Sequence, residues 1–143
     1  MKPSHNWQTI THTPEETEVL AAKLGTQLRG GEVIELVSDL GGGKTTFSRG
    51  LVRATGSKDT VASPTFTISK VYTAGDMEIH HFDFYRLSEA GIVADELAEV
   101  VGDPHTVTIV EWAEVVQHVL PENRMTITIS QTPEGDRSFL ITY

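Results

Sequence analysis

The sequence predicts an α/β fold of three layers with a central, partly parallel mixed sheet. Three observations carry that expectation. A short apolar strand, "EVIELV" at 32–37, runs through a glycine-rich turn straight into a helix. A second apolar run, "TVTIV" at 106–110, reads as a strand of the buried type. Strand and helix patterns are mixed along the chain, which suggests a layered arrangement.

The first helix opens at "TPEE", 13–16, where Thr13 can cap, Pro14 suits the first helical position and Glu16 completes a capping box. Leu20, Leu24 and Leu28 then recur at a spacing of four, an apolar stripe that ends near "RGG". After the strand at 32–37 a helix is expected over 44–54, with Gly56 as its stop. "SKDTVASPTF" reads as a loop broken by Pro64, and "TISKVY" and "MEIHHFDF" as two strands around the turn "TAGD". Residues 88–101 look helical in pieces, with Gly91 as a weak point. The strand at 106–110 ends on Glu111, and a short helix over 113–119 is stopped by Pro121. In the tail, "RMTITIS" and "RSFLITY" alternate with period two around "QTPEGD". Met125, Ile127 and Ile129 face one way and the threonines the other, as in a strand pair covered on one side.

At 143 residues the chain is expected to form a single domain, 1–143, with room for a real core. No apolar run approaches the roughly 20 residues needed to cross a bilayer, and the N-terminal stretch lacks a secretory pattern, so a cytoplasmic protein is expected. The absence of cysteine excludes a disulfide framework and a thiolate zinc site. Formal net charge is −9, and Lys2, Lys23, Lys44, Lys58 and Lys70 are scattered rather than gathered into a stripe. Such a chain repels a phosphate backbone, so any link to nucleic acid is expected to run through another protein.

The turn at 37–50, "VSDLGGGKTTFSRG", is nearly a phosphate-binding loop of the form G-x-x-x-x-G-K-S/T, with Ser38 in place of the first glycine. A strand that turns through glycines into a helix aims several backbone N–H groups at one point, on the positive end of the helix dipole. Asp39, Leu40, Gly41, Gly42 and Gly43 would supply that cradle, continued by Lys44, Thr45 and Thr46. Lys44 would reach the β- and γ-phosphates, and the Thr45 hydroxyl would ligate Mg²⁺. The Ser38 backbone costs on the order of 1 kcal/mol if its φ is positive and nearly nothing if negative. No N-K-x-D guanine-reading loop begins at Asn6 or Asn123, so ATP is the expected nucleotide.

A nucleotide on such a loop needs a further acid to organise its metal, usually at the end of a neighbouring buried strand. Glu111 and Asp83 both qualify. If "HHFDFYR" is extended, His81, Asp83 and Tyr85 share one face and Phe82 and Phe84 the other, and His80 and His81 cannot converge on one ion. Trp112 reads as partly buried packing.

In order, "TPEET", "SDLGGGKTTFSRGL", "SPTF", "HFDFYRL" and "IVEW" resemble the bacterial TsaE (YjeE) family, the small ATPases of tRNA threonylcarbamoyladenosine biosynthesis. The resemblance runs over about 11–121 and implies a P-loop NTPase-like fold. It implies phosphate-binding and metal-binding roles for Lys44 and Thr45, a switch segment at "SPTF" with Thr65 as γ-phosphate sensor, an essential Asp83, and Glu111 as a second Mg²⁺-associated acid. It also implies partners: a threonylcarbamoyl transferase and its companion subunit, with tRNA met only through that complex; alone, the chain is expected to be a monomer. Ser38, Gly42 and Ala113 depart from the family's usual glycine, alanine and proline.

The mechanism expected is slow ATP hydrolysis that a partner stimulates, since no arginine finger is evident beyond Arg86. A small-molecule or nucleoside kinase is one rival, although the region after Glu111 is short for a lid and Arg124 and Arg137 fall in the expected strand pair. A non-hydrolytic, nucleotide-gated binding module is the other.

Overall fold

The computed structural model describes residues 5–38, 43–62, 68–85, 87 and 91–143. All its strands join one seven-stranded mixed sheet. In chain order the elements are β1 (Asn6–Thr11), α1 (Pro14–Gly25), β2 (Val33–Val37), α2 (Lys44–Ala54), β3 (Ser69–Ala74), β4 (Met77–Asp83), α3 (Ile92–Val100), β5 (Thr106–Glu111), a 3-10 turn (Ala113–Val116), β6 (Met125–Gln131) and β7 (Arg137–Thr142). The strand order across the sheet is β1-β7-β6-β2-β5-β4-β3. The middle strands β4, β5, β2 and β6 run parallel; β3 pairs antiparallel with β4 on one side, and on the other β7 pairs antiparallel with β6 and β1 antiparallel with β7.

Two apolar cores flank this sheet, which makes the layers three. On one face α1 and α2 cover Ile34, Leu36, Ile109 and Ile127, with Phe47 and Leu51 of α2 fully buried among them. On the other, Leu97 of α3 and Val116 of the 3-10 turn cover Val33, Phe82, Phe84 and Val110. Because β5 is covered on both sides, all six of its residues are buried, including Glu111.

Several expectations change. "NWQTIT" forms an edge strand, β1, held by its antiparallel ladder to β7 at the opposite end of the chain. The helix after Trp112 is a 3-10 turn that stops at Val116. In α1 the buried positions are Thr17, Ala21 and Gly25, while Leu20 and Leu24 are half-buried beside the core and Leu28 lies past the helix end. Thr13 caps α1 as expected, its Oγ1 accepting from Glu16 N (3.1 Å), but Glu16 Oε1 reaches one residue further back than a capping box does and accepts from His12 N (3.0 Å).

Candidate functional site

The two helices of the first layer begin differently. α1 has a capping threonine and two acids, Glu15 and Glu16, in its first turn. α2 starts on Gly43, with no side-chain cap and no acid in the first turn. Gly43 takes φ +100°, a left-handed conformation that a Cβ would strain by roughly 1–2 kcal/mol. A helix start offers backbone N–H groups without intrahelical partners, and here no carboxylate offsets the positive end of the dipole. This is the chemistry of an anion site.

Ser38, at the exit of β2, is not among the described residues with positive φ, so its backbone needs no glycine. Its carbonyl accepts from the Lys44 ammonium at 3.2 Å. That same Nζ lies 4.9 Å from the centroid of the Trp112 ring, in cation–π range. Trp112 therefore packs, and on the lysine of the loop; its other ring neighbour is Tyr85, at 4.8 Å between centroids.

The two acids come together. Asp83 and Glu111 are register partners on the parallel strands β4 and β5, at their C-terminal ends, and both are 2 % exposed. Asp83 Oδ1 accepts from Tyr85 N at 2.8 Å. Glu111 Oε2 meets His81 Nε2 at 2.5 Å. His81 and Asp83 share a face of β4, with Phe82 opposite, but both faces are buried and Tyr85 lies past the strand, partly exposed. His80 turns away, its Nε2 3.3 Å from Glu78 Oε1. Among the described residues no three His, Asp or Glu side chains are grouped to hold a metal by themselves.

On the opposite flank of Gly43 is a cavity of about 150 Å³, lined by Thr11, Thr17, Thr46, Gly135, Asp136 and Arg137 with Gly43 itself. A Cβ built on Gly43 would lie 3.6 Å from Arg137 Nε, so this guanidinium stands beside the loop. Arg137 lies in a strand, as its sequence predicts, but its place beside the loop was not anticipated. No local signal marks it, since it depends on the pairing of the two chain ends. Arg124 is elsewhere, its Nε 2.8 Å from Glu35 Oε1. Asp39, Leu40, Gly41, Gly42, Thr65 and Arg86 lie outside the described residues.

Residues 11–139 match the family described as threonylcarbamoyl adenosine biosynthesis protein TsaE. The chain belongs to the TsaE family. It is 36 % identical to the tRNA threonylcarbamoyladenosine biosynthesis protein TsaE of Bacillus subtilis, over 95 % of this chain and 84 % of that one. With its namesake from Rickettsia bellii it shares 32 % identity over 96 % of this chain and 95 % of that one. The crystal structure of Bacillus subtilis YdiB superposes with a TM-score of 0.76 at 32 % identity, covering 97 % of this chain and 88 % of that one. The family's α/β fold and mixed, partly parallel sheet are those of this chain. No described helix is long and apolar enough to cross a membrane.

Proposed function

We propose that this protein is a Mg²⁺-dependent ATPase that supports formation of threonylcarbamoyladenosine at position 37 of tRNA by acting on the threonylcarbamoyl transferase and its companion subunit. Membership of TsaE, and relatives named for that biosynthesis, support the process. The observation that carries the nucleotide chemistry is the uncapped, acid-free start of α2 at Gly43, with Lys44 reaching across to Trp112 beside a buried pair of acids.

The main-chain amides from Asp39 through Leu40, Gly41, Gly42 and Gly43 to Thr46, with the Lys44 ammonium, hold the β- and γ-phosphates. The remainder of the nucleotide lies along the cavity between Thr11 and Arg137, the space contiguous with Gly43 and Thr46. Thr45 and Glu111 would hold Mg²⁺, which would supply charge neutralisation to the phosphates. Asp83, fixed by its bond from the Tyr85 amide, orients the attacking water. Thr65 closes over the γ-phosphate and releases after hydrolysis, which couples turnover to the partner complex. The sequence carries no evident arginine finger beyond Arg86, so hydrolysis is expected to be slow for the chain alone and faster when a partner completes the site.

The kinase alternative needs a lid, and the residues after Glu111 are spent on a 3-10 turn and the β6–β7 pair. Phosphate release by the purified chain, alone and with the transferase complex, tests the proposal. We expect stimulation by the complex and, for Asp83→Ala, a loss of at least about 10²-fold in turnover with ADP binding retained. Native turnover in Asp83→Ala, or stoichiometric phosphate transfer to a small acceptor without free phosphate, would overturn it.

A further inference from the structure

We infer that His81 is a positioning residue for this reaction: it fixes one oxygen of Glu111 so that the other is presented to the metal. The inference rests on the proposal that Glu111 is a metal-associated acid. His81 is fully buried and Glu111 is 2 % exposed, so the 2.5 Å contact between Nε2 and Oε2 is sealed from solvent. Nδ1 of His81 is buried with no hydrogen-bond partner, so the ring's one polar contact among the described residues is Glu111. A proton on Nδ1 would meet no acceptor, whereas a proton on Nε2 is accepted by the carboxylate. The geometry therefore selects the Nε2–H tautomer, with histidine as donor.

The placement is specific. Residues two apart on β4 share a face, so the strand that aligns Asp83 with Glu111 also sets His81 behind the Glu111 carboxylate. The Tyr72 ring, its centroid 6.4 Å from that of His81, backs the imidazole. Tyr72 is itself pinned, its hydroxyl donating to Ala62 O at 3.1 Å. For packing alone an apolar side chain would serve here without the cost of burying a ring nitrogen that bonds to nothing. What the imidazole adds is a directional bond that removes torsional freedom from a three-torsion carboxylate, as outer-shell partners do for metal ligands generally.

The test is the Mg²⁺ concentration that gives half-maximal phosphate release, read beside calorimetric binding of ADP without metal. His81→Leu should raise the Mg²⁺ midpoint by about 10–100-fold, the usual effect of removing an outer-shell partner, and leave metal-free ADP binding near native. His81→Gln, whose amide N–H can replace Nε2–H, should recover most of the native midpoint. In a Glu111→Gln background, His81→Leu should add nothing. A native midpoint in His81→Leu beside a shifted one in Glu111→Gln overturns this inference alone. An unshifted midpoint in Glu111→Gln overturns both it and the metal role of Glu111. Imidazole ¹⁵N spectra of the unaltered protein give a reading that no variant's folding can obscure: the Nε2–H tautomer is expected, and Nδ1–H would overturn the inference.

Discussion

Trp112 and Ile68 are the two non-glycine residues with positive φ among those described, at +54° and +68°. Both are tied to the acids: Trp112 follows Glu111, and Ile68 O accepts from Asp83 N at 2.7 Å. A bulky side chain in the left-handed region costs roughly 1–2 kcal/mol, and such strain persists where surrounding contacts over-determine it. For Trp112 those contacts are the Tyr85 ring and the Lys44 ammonium. Tyr72, behind His81, has its phenol pushed above its ordinary value of 10.0, first by burial, with the negative charges of Glu111 and Asp59 adding to it. The folded chain thus holds this proton more tightly than the unfolded one. That contribution is intact below pH 10.0 and is lost as pH rises through the raised value. Between 10.0 and the raised value, denaturant midpoints should fall with pH more steeply for the native chain than for Tyr72→Phe; parallel slopes would contradict the assignment.

At the scale of elements, α1 and α2 meet through small residues. A Cβ on Gly50 of α2 would come within 2.7 Å of Glu18 O and 3.0 Å of Ala21 Cβ, and one on Gly25 within 2.5 Å of Leu51 O. Helix propensity alone would make Gly50→Ala stabilising by about 1 kcal/mol. The clash is with backbone and cannot be relieved by a rotamer, so we expect net destabilisation of about 1–2 kcal/mol in denaturant unfolding. This contact also explains why the leucine stripe misjudged the buried face of α1. Apolar periodicity weighs side-chain size, whereas the closest approach belongs to Ala21, Gly25 and Gly50. What depends on local chemistry was legible: the bounds of α2 with Lys44 at its start, the Thr13 cap of α1 and the buried strand ending on Glu111. β1 was not, because most of its residues are exposed and its ladder is supplied by β7, more than a hundred positions away in the chain. His81 was weighed as a metal ligand, and its bond to Glu111 depends on a parallel pairing that no short-range pattern announces.

For the whole molecule, strand order decides what meets at the loop. β2 lies between β5 and β6, so its end at Val37 lies at the carboxyl edge of the parallel strands, where ligands of open α/β sheets bind. On one side β5 and β4 bring Glu111 and Asp83 to that edge. On the other, β7 pairs Arg137 with both Gln131 and Thr11, which delivers a cation and the cavity wall to the same edge. Arg124 serves a different purpose on the opposite layer, its guanidinium bonding Glu35 Oε1 (2.8 Å) and Gln117 Oε1 (2.7 Å) and so fastening the chain ahead of β6 to the sheet. The two arginines should separate in experiment. Arg124→Ala leaves a buried carboxylate short of its charged partner and should cost about 1.5–3 kcal/mol of stability, with ADP affinity near native. Arg137→Ala breaks one long bond, to Gly135 O at 3.4 Å, and should leave stability nearly unchanged. Because its guanidinium lines the cavity next to Gly43, the same substitution should weaken ADP binding by about tenfold or more, the scale of a charge-assisted hydrogen bond. Calorimetry with ADP beside denaturant unfolding checks both. If Arg137→Ala bound ADP as tightly as the native chain, the nucleotide would not run along the β7 side of the loop, and the pairing of the chain ends would be structural alone.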